Sequence, residues 1–277
     1  MWVIILDFNT IVSIHGAPRS GTSWVGQIFE SSPDVRYKFQ PLFSYAFKER
    51  VNLNSSSNDL AYYFNAIYNF KDDFLDQTAE KLKGIYPIFE NKNSTPKFLV
   101  TKMVRYHYLI PHFIEFVPNI KIIAIVRHPC GVINSWRKAP KEFNPTWNLS
   151  AEWEFAQSKN RFRPEEYYGF IKWKELTKLF LEMEKKYKNS IQIIQYEHLL
   201  DHPVNVTEMM FEFSGLNVEQ QTLDFIQNST TINQSDEYSV FKGGKKLYDW
   251  ENELDSIIKE KVLKDLEGTE FERFLNF

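Results

Sequence analysis

A single cysteine, Cys130, in 277 residues leaves no disulfide framework and no Cys-based metal site. A chain so poor in thiols fits a reducing compartment, and the expected location is cytoplasmic. Long apolar runs are missing too. Nothing approaches the ~20 apolar residues that span a bilayer. Trp2 to Leu6 is a short run, broken by Asp7 and without a basic flank, so neither a transmembrane segment nor a secretory leader is expected. Without a leader, the Asn-x-Ser/Thr triplets at Asn54, Asn93, Asn148, Asn205, Asn228 and Asn233 reflect a chain rich in those residues. Strong net charge is also absent. The balance is −3, so no global field draws the chain to nucleic acid or an acidic membrane, and any polyanion site must be local. No repeat and no low-complexity linker divides the chain, and nothing in it sets an oligomeric state.

What is present is a hydrophobic fraction of 43%, ample for one core, with aromatics at 16% to line that core and, in part, a ligand cleft. Short apolar runs alternate with helical patterns. Strands are expected at Trp2 to Ile14 (with an extended lead-in), Val35 to Phe39, Lys97 to Val104, Lys121 to Val126 and Ile191 to Gln195. Helices are expected at Thr22 to Glu30, His107 to Phe116, Gly131 to Trp136 and Glu165 to Lys186. Further helices follow from Asp201 to Phe213, Asn217 to Asn228 and Asp255 to Leu266. Ser55–Asp59 reads as the cap of a helix carrying Leu60, Tyr63, Phe64, Ile67 and Tyr68. This order implies one α/β, P-loop-like domain over residues 1–277, with a central parallel sheet flanked by helices. Two insertions, about 46–95 and 138–165, are expected to form lids.

The chain is organised around the stretch from Ser13 to Phe29. An apolar run from Ile11 to Ile14 enters a Gly-rich turn, and a helical pattern follows with Trp24, Val25, Ile28 and Phe29 on one side. Strand, loop and helix in that order point backbone N–H groups and a positive helix end at an anion. Gly16 and Gly21 keep the spacing of a nucleotide-binding loop, Gly-x-x-x-x-Gly-Lys-Ser/Thr, but Thr22 stands where the lysine belongs. The cation that reaches the outer phosphates of ATP is therefore missing, and Arg19 offers a different one. The cradle suits a phosphate ligand other than ATP. Downstream, Arg127-His128-Pro129-Cys130-Gly131-Val132-Ile133-Asn134-Ser135 puts an Arg at a strand end and a Ser eight residues later, early in a helix. The two can converge on one phosphate, Arg through a bidentate contact and Ser through its hydroxyl. A third stretch, Lys242-Gly243-Gly244-Lys245, is a Gly-hinged basic loop able to fold over a phosphate, or else a solvated loop.

The loop Pro18-Arg19-Ser20-Gly21-Thr22-Ser23 resembles the 5′-phosphosulfate loop of sulfotransferases that use 3′-phosphoadenosine 5′-phosphosulfate (PAPS). Its Arg form is closest to the carbohydrate and tyrosylprotein branches. Arg127 and Ser135 are similar to the family's 3′-phosphate pair, and Lys242 to Lys245 to its late Lys-Gly loop. The resemblance implies an enzyme that moves the sulfonyl group of PAPS to a hydroxyl, on a carbohydrate, glycolipid or other small molecule, releasing PAP (3′-phosphoadenosine 5′-phosphate). It requires no metal. Pro18 to Ser23, Arg127, Ser135 and Lys242 to Lys245 would bind the donor. Trp24 would stack on adenine or simply pack in the core, and Tyr196 would reach the adenine or pack. Lys102, at a strand end, would join Arg19 in stabilising charge on the transferred group, or lie at the surface.

The acceptor's proton is the weak point of the resemblance. Related enzymes often carry Glu before Pro-Leu after the second strand, and here Gln40 precedes Pro41-Leu42. An amide takes no proton at neutral pH, so Gln40 is expected to orient the acceptor. His107 is the next candidate base, with His112 behind it. Two other functions stay open: a P-loop kinase, weakened by Thr22 and by the lack of an Asp-ending strand, and a PAP-binding module without catalysis.

Overall fold

The computed structural model describes residues 6–244 and 248–276. Five parallel strands form the sheet: β1 (Thr10–Gly16), β2 (Val35–Phe39), β3 (Phe98–Met103), β4 (Lys121–Val126) and β5 (Ile191–Gln195), in the order β2-β3-β1-β4-β5. The expected α/β architecture is present. β1 and β3 are apolar or buried along almost their whole length because both faces are covered. Alternation along β1 sends Ile11 to one face, against helices Ser57–Asn69, Phe170–Lys186 and Ser256–Leu266. Val12 and Ile14 go to the other face, against helices Thr22–Glu30, Pro203–Ser214 and Gln220–Thr231.

The chain leaves β1 toward β2 on one side and leaves β4 toward β5 on the other. The crevice between two such strands, at their carboxyl ends, is where an open parallel sheet holds its ligand. β1 runs straight into α1 (Thr22–Glu30), the helix expected at those residues. α2 (Ser57–Asn69) has the anticipated cap, with Ser56 and Asp59 bonding reciprocally to each other's backbone. The rest of 46–95 holds one further helix, α3 (Thr78–Leu82), and is otherwise irregular. α4 (Ile110–Phe116) follows a short 3-10 turn at His107–Leu109, and α5 (Pro129–Arg137) starts two residues before the expected Gly131.

The helix expected from Glu165 begins instead at Phe170. Gly169 has φ 86°, and Asn160 captures both backbone groups of Tyr168, accepting from its N–H at 3.1 Å and donating to its carbonyl at 2.8 Å. Residues 165–169 are thereby kept out of the helix, and Tyr168 is turned into the cleft.

Candidate active site

The loop after β1 is shaped by close approach. A Cβ at Gly16 would lie 2.8 Å from the carbonyl oxygen of Ile125 on β4 and 2.8 Å from Thr22. Gly21 has φ 87°, and a Cβ there would sit 2.2 Å from the ring of Tyr196. Only glycine satisfies both conditions. Arg19, a residue with a Cβ, is also left-handed at φ 73°, a strain of the sort that gathers at ligand-binding loops. α1 starts with no side-chain cap, so its first-turn amides face the crevice beside Thr22 and Ser23. Ser20 is fully buried beneath the loop and its hydroxyl has no protein partner. These are the features of an anion cradle.

The second candidate anion site meets the first. Arg127, leaving β4, donates through Nη1 to the carbonyl of Arg19 at 2.9 Å, and its guanidinium lies 4.9 Å from the centroid of the Tyr196 ring. The carbonyl of Arg127 accepts from the Trp173 indole at 2.9 Å, which fixes the strand end. Ser135, on α5, accepts from Arg19 Nε at 3.2 Å. Arg19 Nη2 donates to the carbonyl of Glu237 at 2.9 Å, and Nη1 is 3.9 Å from Glu142 Oε1. Arg19 thus spans from the Ser135 pocket to the far end of the cleft.

Lys242 lines the same cleft, with its ammonium donating to the carbonyl of Asp236, and partial burial lowers its pKa. Gly243 fits because a Cβ would strike the carbonyl of Thr231 at 2.2 Å, and Gly244 has φ 71°. Lys245 lies outside the described residues. Trp24 is buried, donates its indole N–H to Ser229 at 2.9 Å and meets Tyr196 edge-on at 6.5 Å, while both rings line the cleft. Trp24 therefore both packs and walls the site, where the sequence left the two roles as alternatives.

The cleft encloses about 520 Å³. Its far end belongs to Lys102, Gln40, Arg105, Glu142, Lys159 and Tyr168. Lys102, the last residue but one of β3, is 4% exposed rather than a surface lysine, and holds its ammonium 4.5 Å from the centroid of the Phe39 ring. Burial draws its pKa down to about 7, opposed by the nearby charge of Glu142. Gln40 lies in the left-handed region (φ 42°), and its side-chain carbonyl accepts from Arg105 Nη1 at 3.1 Å. Arg105 is paired with Glu166 at 3.0 Å and packs on Phe43 at 4.1 Å.

His107 is not there. It is fully buried behind β1, its Nδ1 3.0 Å from Nδ1 of His15 and its ring 4.6 Å from that of Tyr167. Burial holds it well below the usual histidine pKa. An acceptor in the cleft cannot touch it, so its expected part in proton transfer does not hold. Of the two roles open to this imidazole, base or packed side chain, it has the packed one, against His15 and Tyr167. His112 is no better placed, with its Nε2 at 2.8 Å from the carbonyl of Ser55. The residues that sequence reasoning missed are Arg105, Glu142, Lys159, Tyr168 and Tyr238. They stand in no motif: Arg105 lies just after β3, Lys159 sits on the short helix Gln157–Asn160, and Glu142, Tyr168 and Tyr238 reach the cleft from loops.

The profile described as "Sulfotransferase family" matches residues 12–220. Carbohydrate sulfotransferase 1 of Danio rerio is 24% identical over 295 residues, covering 81% of this chain and 67% of that protein. Mouse sulfotransferase SULT7A1, crystallised with PAP, superposes with a TM-score of 0.56 at 17% identity, over 98% of this chain and 90% of its own. The sulfotransferase domain of the Synechococcus PCC 7002 olefin synthase gives 0.53 at 14% identity, over 95% and 96%. The two structures establish a shared fold. The profile spans the loop after β1, the lysine at the end of β3 and the Arg127–Ser135 pair, and on that match the chain belongs to the sulfotransferase family.

Proposed function

We propose that the protein transfers the sulfonyl group of PAPS to a hydroxyl of a carbohydrate or glycolipid and releases PAP. One observation carries this: two anion sites, issuing from adjacent parallel strands, open into one cleft and share Arg19. A donor with a phosphosulfate at one end of its ribose and a lone phosphate on the same sugar needs such a pair. The loop Pro18 to Ser23 holds the phosphosulfate through backbone N–H groups. Arg127, Ser135 and Lys242 hold the ribose phosphate, and Trp24 with Tyr196 walls the base. Gly243 and Gly244 belong to the cover over it.

Arg19 and Lys102 are the fixed cations at the end where charge develops as the S–O bond to the leaving phosphate breaks, and such preorganised charge is usually the largest catalytic contribution. Gln40 positions the acceptor through its bond to Arg105. Segments 46–95 and 138–165 act as lids that set acceptor choice, contributing Tyr86 from the first and Glu142 and Lys159 from the second. The name of the Danio rerio relative and the Arg form of the loop support a sugar acceptor. The single, buried thiol of Cys130 supports a reducing compartment, taken here to be the cytoplasm.

Thermal melts with PAP and with Mg-ATP test the donor. At a hundred times its Kd, PAP adds about 2.7 kcal/mol of stability, and for a domain of this size that is roughly 5 °C or more. A larger shift with Mg-ATP would favour a kinase, against the Thr22 of the loop. Gln40 supports a second reading, a module that binds PAP without turnover, and transfer of labelled sulfate to a glycan panel separates it from the first.

A further inference from the structure

We propose that Glu142, on the second lid, takes the proton from the acceptor hydroxyl. This rests on the transfer reaction proposed above and names the group that Gln40 and His107 leave wanting. Three carboxylates line the cleft: Glu142, Asp201 and Glu237. Asp201 closes the helix Tyr196–Asp201, on the side of Tyr196 and Leu200. Glu237 acts on Lys242, at the ribose-phosphate end. Of the three, Glu142 is the one set among the groups of the acceptor end; Glu166 stands near them too, but it is paired with Arg105 at 3.0 Å and does not line the cleft. It is the carboxylate whose charge bears most on Lys102, and it acts on Arg105, Lys159 and Tyr168 as well.

Its two oxygens are differently placed. Oε1 is 3.9 Å from Arg19 Nη1. Oε2 is buried and has no hydrogen-bond partner. A buried carboxylate oxygen without a donor costs free energy, a cost that a turn of the carboxylate toward a hydroxyl in the cleft relieves. The carboxylate is also held in place. Glu142 N–H donates to the carbonyl of Ala139 at 2.9 Å, and its own carbonyl accepts from the Trp136 indole at 3.3 Å. Lys141 N–H donates to the Tyr238 hydroxyl at 2.8 Å, and Phe143 packs edge-on against Trp136 at 5.0 Å. Trp136 lies on α5, next to Ser135, so one helix sets both the ribose-phosphate contact and this carboxylate.

The step balances without any further reagent. The acceptor oxygen forms a bond to sulfur. The bond from sulfur to the bridging oxygen breaks, and its electron pair leaves with the 5′-phosphate of PAP. The acceptor's proton passes to the Glu142 carboxylate. Arg19, beside Oε1, is drawn to the departing phosphate as the carboxylate is neutralised, so the two events favour one another.

The experiment compares wild type, Glu142→Gln and Glu142→Asp in transfer of labelled sulfate from PAPS to methyl glycosides and to 4-nitrophenol, with PAP melts on each protein. A positioned base contributes roughly 10²–10⁴-fold, so Glu142→Gln is expected to lose that much kcat on glycosides with little change in KM and an unchanged PAP shift. The loss should shrink by about ten-fold or more on the acidic phenol, which needs less help with its proton. Glu142→Asp should recover part of it. An equal loss on both acceptors, a kcat within about three-fold of wild type on glycosides, or a vanished PAP shift would overturn the assignment while leaving the donor reading intact. A wild-type protein indifferent to PAP, or one that binds PAP and labels no acceptor, would remove the transfer reaction and this role together.

Discussion

Lowering the pH should unfold this protein through a histidine that never meets the ligand. His15 sits on β1 with no solvent exposure, its Nε2 2.8 Å from Ser13 Oγ and its Nδ1 3.0 Å from the imidazole of His107. Ser13 in turn bonds Thr101 on β3 at 3.0 Å. Burial lowers the pKa of His15 from 6.5 to about 3. The sign follows from which state binds the proton. Above 6.5 neither state is protonated and the neutral ring costs nothing. As pH falls below 6.5 the unfolded chain takes a proton that the folded chain refuses, so stability drains away until about pH 3. At about pH 4.5, two units below the unfolded value, the loss from this residue is about 2.7 kcal/mol, at 1.36 kcal/mol per unit. His15→Gln keeps a polar group toward Ser13 and cannot titrate. Urea unfolding of both proteins at about pH 7 and pH 4.5 isolates the effect, because every other titrating group is common to them. The variant is less stable at pH 7, and that deficit should shrink by about 2.7 kcal/mol at the lower pH. A deficit equal at both values would mean that His15 accepts its proton in the folded state, and that the buried pair is not held neutral.

The remaining predictions concern the cleft. Because the ammonium of Lys102 is drawn down to about 7, the neutral amine gains as pH rises, and kcat/KM for the donor should fall above that value. Lys102→Arg, which does not titrate, should flatten that alkaline limb in a pH–rate profile even if its rate is lower throughout. Arg127→Ala removes a charge-assisted contact worth about 1.5–3 kcal/mol. It should weaken PAP about ten- to hundred-fold in calorimetry, while AMP, which lacks the ribose phosphate, should lose far less. Equal losses for the two nucleotides would place Arg127 at the other phosphate.

The strands and the loops between them were legible because each signal is local. β4 is an unbroken apolar run, and α1 was expected at Thr22 to Glu30, where it lies. Gly21 could be marked as special from its place in the loop. That it must also yield to Tyr196, 175 positions later, could not. Helix starts were less secure. The pattern for the long helix carried on to Glu165, but Asn160 had already claimed the backbone of Tyr168.

His107 shows the limit most directly. A histidine just past a strand suggests a base, yet whether it faces the ligand or the core depends on which side of β1 its turn folds, and it folds against His15. Glu142 shows the reverse. Nothing around it in sequence suggests chemistry, and it reaches Arg19 only because α5 and the Trp136 anchor carry the lid back over the cleft. Periodicity and glycine spacing, which work over a few residues, determined the α/β order and the two anion loops. Only packing decided how those loops share one guanidinium across 116 positions and which carboxylate the acceptor meets, because side chains from distant loops are brought together by the burial of the elements that carry them.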